Sequence, residues 1–444
     1  MALALRRAGL ADEAAARKAE LFAEAAAAIS RAPMPRHDEI LALYVPGRIE
    51  ILGKHTDYAG GQSMVAAAEQ AICVVAQPRD DGRIRVTDAA NGQTVAFPMD
   101  ASLELPTGDW SRYPMTVARR LARNFPSARR GAEIGLASDL PPAAGMSSSS
   151  ALVVAVALAL VEINRPPTPA DLPRLWDDPL ALAGYLACVE NGRSYASLAG
   201  HEGVGTLGGS EDHTAILDSR SGRIGHYAYG PLRRVADYPL PDDLAFAIAT
   251  SGVVAEKTGA ARSLYNRASS LAAELVALWS RATGEDRPHL GAILEMPEAA
   301  ERFRAIVDGL GRPPDEAEAL RARLEHFIEE NQRILPAAAD ALRQGRWDEF
   351  GRWVDASQQA AEALLGNQMP ETIHLARTAR RLGAAAASAF GAGFGGSVWA
   401  LIEKQRAGAF LAAWAADYHA AFPRRAVAGR FFVTQAGPAA FRLR

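Results

Sequence analysis

The sequence predicts an α/β (α+β) fold in two domains. The chain has 444 residues, more than one hydrophobic core usually supports. Helix-like and strand-like patterns follow one another along its whole length, which is typical of a mixed fold. Residues 227–243 combine turn residues and charges without periodicity, so we place the domain junction there. The predicted domains are residues 1–232 and 244–444.

Composition and charge narrow the class of protein. A hydrophobic fraction of 49% and a charged fraction of 22% are those of a globular protein. The net charge of -3 gives no reason to expect nucleic acid or a membrane surface as a partner. The chain shows neither a run of about 20 apolar residues nor a secretory leader pattern. Because Cys73 and Cys188 are too few for a disulfide framework or a zinc site, we expect a cytoplasmic protein.

The first half of the chain predicts helices and strands in alternation. Residues 12–31 are Ala-rich with periodic apolar positions and predict an amphipathic helix. Residues 111–124 predict another helix, and residues 148–163 are long and apolar enough for a buried one. Asn91-Gly92 predicts a tight hairpin. The predicted strands are residues 41–52 (interrupted by Pro46-Gly47), 71–76, 85–88, 94–97 and 133–137.

The second half predicts a further layer of helices and strands. Residues 244–250 form a short apolar run, followed by a long helical pattern over residues 260–282. More helical patterns occupy residues 298–366. Strand-like runs near residues 397–402 and 430–433 complete this layer.

The first segment with chemical potential is residues 46–61. A strand runs into a tight loop that holds Arg48, Lys54, His55 and Asp57 within ten residues. Together these side chains donate and accept hydrogen bonds, as binding of a polyol requires. A polar surface turn between two strands would explain the same cluster, and the segment alone leaves both explanations open.

The second segment, residues 140–151, leads directly into the predicted buried helix. Gly145 and the four serines Ser147, Ser148, Ser149 and Ser150 stand at its start. Small residues let the backbone approach an anion, and the first amides of a helix then face that anion. An N-cap would explain one serine but not four. The pattern therefore favours phosphate binding.

The third segment, residues 389–397, is rich in glycine. Gly391, Gly393 and Gly396 match a dinucleotide-binding fingerprint, and Asp417 follows about 20 residues later. That fingerprint requires a helix directly after the glycines, whereas residues 397–402 predict a strand. A glycine loop that supports an active site explains the segment better.

In this order and spacing, the three segments resemble the three signature motifs of the GHMP kinases, and the first resembles the galactokinase signature in particular. The second is similar to the ATP phosphate-binding loop of that family, with Ala143 in place of a common glycine. The resemblance implies two α/β domains with the active site in the cleft between them. It also implies ATP-dependent phosphorylation of a monosaccharide, galactose or a related sugar, at the anomeric C1 hydroxyl.

The resemblance assigns roles to individual residues. Arg48 matches the arginine beside the attacking sugar hydroxyl, and Asp212 matches the catalytic base, although the residues around Asp212 differ from the family pattern. His55, Asp57 and Tyr265 match sugar-binding positions; Tyr265 has an equally good explanation as an aromatic residue on an amphipathic helix. The resemblance assigns one serine, Ser148, and the carboxylate of Glu190 as magnesium ligands. Glu190 could also be a solvated helix residue. The expected ATP-binding residues are Gly145, Ser147, Ser148, Ser149, Ser150 and Gly393.

The most important departure from the galactokinase signature is Lys54, because galactokinases have glutamate at this position. A cationic donor cannot accept the hydrogen bond that the glutamate accepts from the sugar. Either Lys54 points away and galactose is still bound, or Lys54 binds the carboxylate of a hexuronic acid such as galacturonate, as one substrate-binding residue among the others.

The sequence gives weaker support to two other functions. A non-catalytic sugar and ATP sensor is disfavoured, because the serine loop, Arg48 and Asp212 are all present. A mevalonate-type or homoserine-type kinase is disfavoured by the run His55-Thr56-Asp57-Tyr58, which belongs to the sugar kinases. The expected partners are a small sugar and ATP with Mg2+, in a monomer or homodimer.

Overall fold

The structure is a computed structural model that describes residues 1–29, 40–253 and 261–443. The predicted helix ends at residues 30–31 and at residue 260 lie outside these ranges. Its α-helices are α1 (Ala2–Arg7), α2 (Asp12–Ile29), α3 (Arg112–Asn124), α4 (Ser148–Asn164), α5 (Pro179–Asn191), α6 (Glu211–Asp218), α7 (Ala261–Thr283), α8 (Leu290–Leu294), α9 (Ala299–Asp308), α10 (Pro314–Ile328), α11 (Leu335–Arg343), α12 (Trp347–Ala360), α13 (Pro370–Arg381) and α14 (Ala407–Ala421). Short π-helical turns, Glu329–Ile334 and Ala361–Leu365, follow α10 and α12. In the described part of the chain, no helix combines the length and the apolar character that crossing a membrane requires.

The strands form two sheets. They are β1 (Leu41–Leu52), β2 (Gln62–Arg79), β3 (Arg83–Asp88), β4 (Thr94–Pro98), β5 (Gly131–Ser138), β6 (Arg223–Tyr229), β7 (Leu232–Pro239), β8 (Leu244–Thr250), β9 (Ala386–Ala389), β10 (Ser397–Glu403), β11 (Arg430–Thr434) and β12 (Phe441–Arg442). The larger sheet has the order β12-β1-β2-β5-β3-β4, and β2 also pairs with the β6–β7 hairpin. The smaller sheet has the order β11-β8-β10-β9. The mixed fold predicted from the sequence is therefore confirmed.

The centre of the larger sheet is the antiparallel pair β1–β2, in which Val45 lies opposite Ile72. The prediction placed only residues 71–76 of β2 in a strand, whereas β2 runs from Gln62 to Arg79. Its first part is Ala-rich and has little intrinsic strand preference. Pairing with β1 on one side and β6 on the other imposes the extended conformation there.

The pairing of β1 is irregular around Arg48, the first predicted site residue in this strand. Its register shifts between Pro46 and Arg48 and again between Glu50 and Leu52. Pro46 has no N–H to donate, and the amide of Arg48 donates to the carbonyl of Met146 at 3.1 Å instead of to the sheet. The strand that carries Arg48 is therefore tied to the loop before α4.

The expectation that residues 227–243 lack regular structure was wrong, whereas their place at a domain junction stays a prediction. Most of this segment belongs to the antiparallel hairpin β6–β7, which extends the larger sheet. Its strand pattern was hidden because β7 is an edge strand, half exposed, with charged residues along it. The chain enters the smaller sheet at β8, and β12 returns to pair with β1. The limits 1–232 and 244–444 stay a prediction.

Helix α4 lies against β1 and β2 in the main core, and the predicted buried helix is confirmed. Its side chains are apolar all round, as expected for a helix covered on every side. The smaller sheet packs on α13 and α14 through Leu375, Trp414 and Tyr418.

Residues 192–205, between α5 and α6, form a loop that arginines of α3 hold in place. Arg119 donates to the carbonyl of Glu202 at 2.6 Å, and Arg120 donates to the carbonyl of Arg193 at 2.8 Å. Arg112 donates to the carbonyl of Gly203 at 2.9 Å and pairs with the Glu202 carboxylate. These bonds fix the path from the end of α5 to the start of α6, and both ends carry predicted site residues.

Candidate active site

A cavity forms where β1, the loop after it, α4, α5, α6, α7 and the glycine loop meet. Seven of the predicted site residues line it, although they come from distant parts of the sequence: five were predicted for catalysis or sugar binding, one for ATP and one for magnesium. They are Arg48, His55, Asp57, Ser150, Glu190, Asp212 and Tyr265. The same cavity is lined by Glu50, Glu211 and His213, which the sequence reasoning did not single out. We call it the first cavity.

Arg48 and Asp212 are in direct contact. The Arg48 Nε donates to Asp212 Oδ1 at 2.7 Å, and Ser150 Oγ donates to Asp212 Oδ2 at 3.3 Å. Arg48 is only 4% exposed. Burial by itself lowers the pKa of this guanidinium, but the carboxylates of Asp212, Glu211 and Glu50 outweigh it, and the pKa lies above its ordinary value. The arginine is therefore a permanent cation held against the predicted base.

Two further carboxylates surround Arg48. Glu211 Oε1 lies 3.4 Å from Arg48 Nε, and Glu50 Oε2 lies 3.5 Å from Arg48 Nη1. Burial, reinforced by Glu50, holds the pKa of Glu211 well above its ordinary value, which favours the protonated form. The sequence contained a signal for Glu50, since residues two apart on a strand point to the same face. Glu211 and His213 gave no such signal, because only their position in the first turn of α6 brings them here.

Asp57 fastens the loop after β1 to the start of α6. Its carboxylate accepts hydrogen bonds from the amide of Tyr58 at 2.8 Å and from the amide of Glu211 at 3.1 Å. Burial raises the pKa of Asp57, while these two amides oppose the rise. The predicted sugar-binding residue therefore also sets the position of the helix that carries Asp212.

His55 stands beside Tyr265 at the wall of the first cavity. Their ring centroids are 5.4 Å apart, and His55 Nδ1 is 2.8 Å from the hydroxyl of Tyr58. His55 has a φ of 55°, a conformation that costs energy in a residue with a side chain. The buried Arg323 donates to its carbonyl at 2.6 Å and helps to hold that conformation.

The structure places Lys54, predicted to contact the substrate, away from the lining of the first cavity. Lys54 is 0% exposed and is not among the described residues that line the first cavity. Its ammonium donates to the hydroxyl of Ser388 at 2.8 Å and faces that of Ser357 at 3.4 Å. Because the side chain is bonded on the side away from the cavity, it is not placed to bind a sugar carboxylate.

The loop before α4 has the open backbone geometry that phosphate binding requires. Ala143, Gly145 and Ser147 have φ values of 49°, 76° and 60°. The Ser147 hydroxyl makes no capping bond to α4, and its buried oxygen has no hydrogen-bond partner. The alternative that Ser147 serves only as an N-cap therefore lacks its defining bond.

A second, larger cavity of about 680 Å³ lies against this loop. Gly145, Ser147, Ser148 and Ser149 line it, whereas Ser150 lines the first cavity. Because consecutive residues of one helical turn face both cavities, the two meet at the start of α4. Trp110, in the turn before α3, and Tyr113, in its first turn, also line the second cavity, and the sequence reasoning did not single them out.

The glycine loop packs on the phosphate loop from the opposite side. Ser397 Oγ donates to the carbonyl of Ala144 at 2.6 Å. A side chain at Gly391 would collide with the carboxylate of Glu50, and one at Gly393 would collide with Asn367. Gly393 is not among the described residues that line either cavity, so its expected contact with ATP stays a prediction.

Glu190 and Ser148 supply oxygen ligands of the kind that magnesium prefers. Glu190 lies at the end of α5 with its Oε2 3.1 Å from His213 Nε2, and Ser148 begins α4. Among the described residues, no three metal-binding side chains cluster as a complete cage. Glu190 lines the first cavity and Ser148 the second, so their binding of one shared ion, with other ligands from phosphates and water, stays a prediction.

Three family models match the chain. The GHMP kinases N terminal domain matches residues 112–188, and the GHMP kinases C terminal domain matches residues 338–420. The galactokinase galactose-binding signature matches residues 36–78, which include β1 and the loop after it. The matches therefore include both the strand of Arg48 and the start of α4.

Relatives of similar length share this architecture. A galactokinase of a Roseiflexus species is 30% identical over 382 residues, covering 86% of this chain and 88% of the relative. A galactokinase of Chloroflexus aggregans is 30% identical over 383 residues, covering 84% and 86%. The crystal structure of Lactococcus lactis galactokinase complexed with galactose aligns with a TM-score of 0.76 at 24% identity, covering 96% of this chain and 99% of that one.

Proposed function

The chain belongs to the galactokinase family of GHMP kinases, and from this we propose that it transfers the γ-phosphoryl group of ATP to the anomeric C1 hydroxyl of a galactose-like hexose. That it is an ATP-dependent sugar kinase follows from the family. The choice of sugar and of hydroxyl is the proposal. The observation that carries it is the buried contact between Arg48 and Asp212 in the first cavity.

In the proposed mechanism, the sugar occupies the first cavity with its reacting hydroxyl beside Asp212. Asp212 accepts the hydroxyl proton as the oxygen attacks the γ-phosphorus, and the bond from that phosphorus to the bridging oxygen of ADP breaks. Arg48 fixes the position of the aspartate through their 2.7 Å ion pair and places positive charge beside the group in transfer. His55, Asp57 and Tyr265 position the sugar.

We place the nucleotide in the second cavity, with its phosphates at the start of α4. The first amides of α4 and the free Ser147 hydroxyl favour an anion there. Trp110 and Tyr113 offer aromatic faces for the base. Magnesium, when bound with ATP, neutralises the charge that develops on the phosphates, and we assign Ser148 and Glu190 to hold it.

The test is ADP release from ATP with D-galactose, followed by NMR of the product. A C1 phosphate couples to the anomeric proton, and a phosphate at any other carbon would contradict the proposed position. Asp212→Asn should lower kcat by about 10²–10⁴-fold, the usual contribution of a general base. Affinity for ATP should change little, because Asp212 is not among the described residues that line the second cavity.

The matched control is Asp315→Asn, an exposed aspartate in the first turn of α10. It should leave both kcat and ATP affinity at their original values. If Asp212→Asn kept more than a tenth of the original turnover, Asp212 would not be the base.

A further inference from the structure

We propose that the first cavity selects an amino sugar, a hexose with a free ammonium group that binds to Glu50. This rests on the sugar kinase function proposed above and specifies its substrate class. The reasons are the charge balance of the cavity, the open carboxylate oxygen of Glu50 and the positions of the available cations.

The charge balance of the first cavity is strongly negative. Five carboxyl groups line it, against a single permanent cation, Arg48, among the described lining residues. They are Glu50, Asp57, Glu190, Glu211 and Asp212. Protonation of Glu211 and a magnesium ion at Glu190 would still leave Glu50, Asp57 and Asp212, and Arg48 is already shared by Glu50, Glu211 and Asp212. An anionic sugar would meet repulsion here, whereas a cation would relieve it.

Glu50 shows where that cation would bind. It is 2% exposed, it lines the cavity, and its Oε1 has no hydrogen-bond partner among the residues that the structure describes. A buried acceptor without a donor costs free energy, and one that lines a ligand cavity gains its donor from the ligand. Gly391 leaves room for the carboxylate, since any side chain there would collide with it.

The nearby protein cations do not neutralise Glu50. Arg48 reaches it only through Nη1 at 3.5 Å, while its Nε is committed to Asp212 at 2.7 Å. Lys54, four residues further along, is bonded to Ser388 and Ser357 and does not line the cavity. An ammonium group brings three donors and the missing positive charge, whereas a sugar hydroxyl brings one donor and no charge.

The experiment compares kcat/KM at pH 7 for galactose, its 2-amino and 6-amino derivatives, N-acetylgalactosamine and galacturonate. One of the two amino sugars should exceed galactose by about 10-fold, the difference between a charged and a neutral hydrogen bond. N-Acetylgalactosamine, which has the nitrogen without the charge, and galacturonate should both fall below galactose. If neither amino sugar exceeds galactose, the proposal is overturned.

Glu50→Gln separates the charge of Glu50 from its shape. The ratio of kcat/KM for the preferred amino sugar to that for galactose should fall by about 10-fold, since the amide keeps an acceptor but not the charge. Glu13→Gln, an exposed glutamate in the first turn of α2, is the matched control and should leave the ratio unchanged. An unchanged ratio in Glu50→Gln would overturn the assignment, and if that variant does not fold, the ranking of sugars by the original protein decides.

The experiment distinguishes failure of the proposed kinase function from failure of the amino-sugar proposal. No ADP release with any sugar of the panel would contradict the proposed function. Calorimetric titration of the ATP-analogue complex with the amino sugars and galactose would then decide the present inference. Tighter binding of an amino sugar would support it, and equal or weaker binding would overturn it.

Discussion

Glu50 and Lys54 lie four residues apart, and the fold gives their charges opposite surroundings. Glu50 faces the first cavity, whereas Lys54 joins a buried polar cluster with Ser357, Ser388 and Glu330. In this cluster Glu330 accepts bonds from the amide of Gly53 at 2.7 Å and from the Ser357 hydroxyl at 2.9 Å. Lys54 therefore anchors the loop after β1 to the helices and strand that follow in the second half of the chain.

Replacing this lysine should destabilise the protein in a way that depends on pH. Lys54→Met leaves the Glu330 carboxylate without its compensating cation, which should lower the free energy of unfolding by about 3–5 kcal/mol at pH 8. Burial already raises the pKa of Glu330 against the opposing effect of Lys54, so the folded variant binds a proton more readily than the unfolded chain. Stability then rises as the pH falls, and the loss should be smaller at pH 5.

Urea unfolding at the two pH values measures this effect. Lys404→Met, at an exposed lysine, is the control and should change the free energy of unfolding by less than about 0.5 kcal/mol. An equal loss at pH 5 and pH 8 would show that packing, rather than the charge of Glu330, accounts for the effect.

At the scale of elements, the turn into α4 combines strain with exposure of polar groups. Ser147 adopts a left-handed conformation without making a capping bond, so its geometry does not serve the helix. Ser147 and the first residues of α4, Ser148 and Ser149, line the second cavity, and the Ser147 hydroxyl has no hydrogen-bond partner among the described residues. Such strain is expected at a ligand site, where binding compensates for it.

Ser147→Gly should therefore change stability and binding in opposite directions. Glycine adopts the positive φ without penalty, and the free energy of unfolding should rise by up to about 1 kcal/mol. Loss of the hydroxyl should raise the KM for ATP several-fold. Thermal unfolding and initial rates at varied ATP concentration measure the two effects.

Ser149→Gly is the matched control, because it also removes a hydroxyl from the second cavity but lies within α4. There glycine should lower stability by about 0.5–1 kcal/mol. A loss of stability in Ser147→Gly as well would contradict the strain at that position.

At the scale of the whole molecule, the last residues of the chain close the larger sheet. The amide of Gly437 donates to the carbonyl of Ala67 at 2.8 Å, and β12 pairs with β1 along the edge next to the catalytic strand. Arg442 also pairs with Glu162 of α4 at 2.9 Å. The last residues therefore contact both β1, which carries Arg48, and α4, which begins with Ser148, Ser149 and Ser150.

Deleting residues 437–444 should lower the melting temperature by roughly 5–10 °C, because several net hydrogen bonds of about 1 kcal/mol each are lost. At temperatures where the full chain is still folded, the shortened chain should have a lower turnover than the full chain. Deletion of residue 444 alone retains β12 and serves as the control. A melting temperature unchanged by the longer deletion would show that β12 adds nothing to the sheet.

The sequence by itself determined the mixed fold, the buried helix α4 and the grouping of Arg48, His55 and Asp57, whereas Asp212 was assigned only through the resemblance to galactokinases. These follow from local signals: apolar periodicity, a run of small residues before a helix, and motifs whose residues are close along the chain. The sequence did not predict the hairpin β6–β7 or the first part of β2. Their residues have only a weak intrinsic preference for strands, and pairing with neighbouring strands imposes the extended conformation.

Only the tertiary structure decided which charges line the first cavity. Lys54 turns to partners more than 270 residues away, whereas Glu50 and Glu211 turn to Arg48. The direction of a side chain after an irregular strand depends on register and on the groups packed against it. A buried charge goes where distant elements supply its hydrogen bonds, and no local pattern in the sequence carries that information.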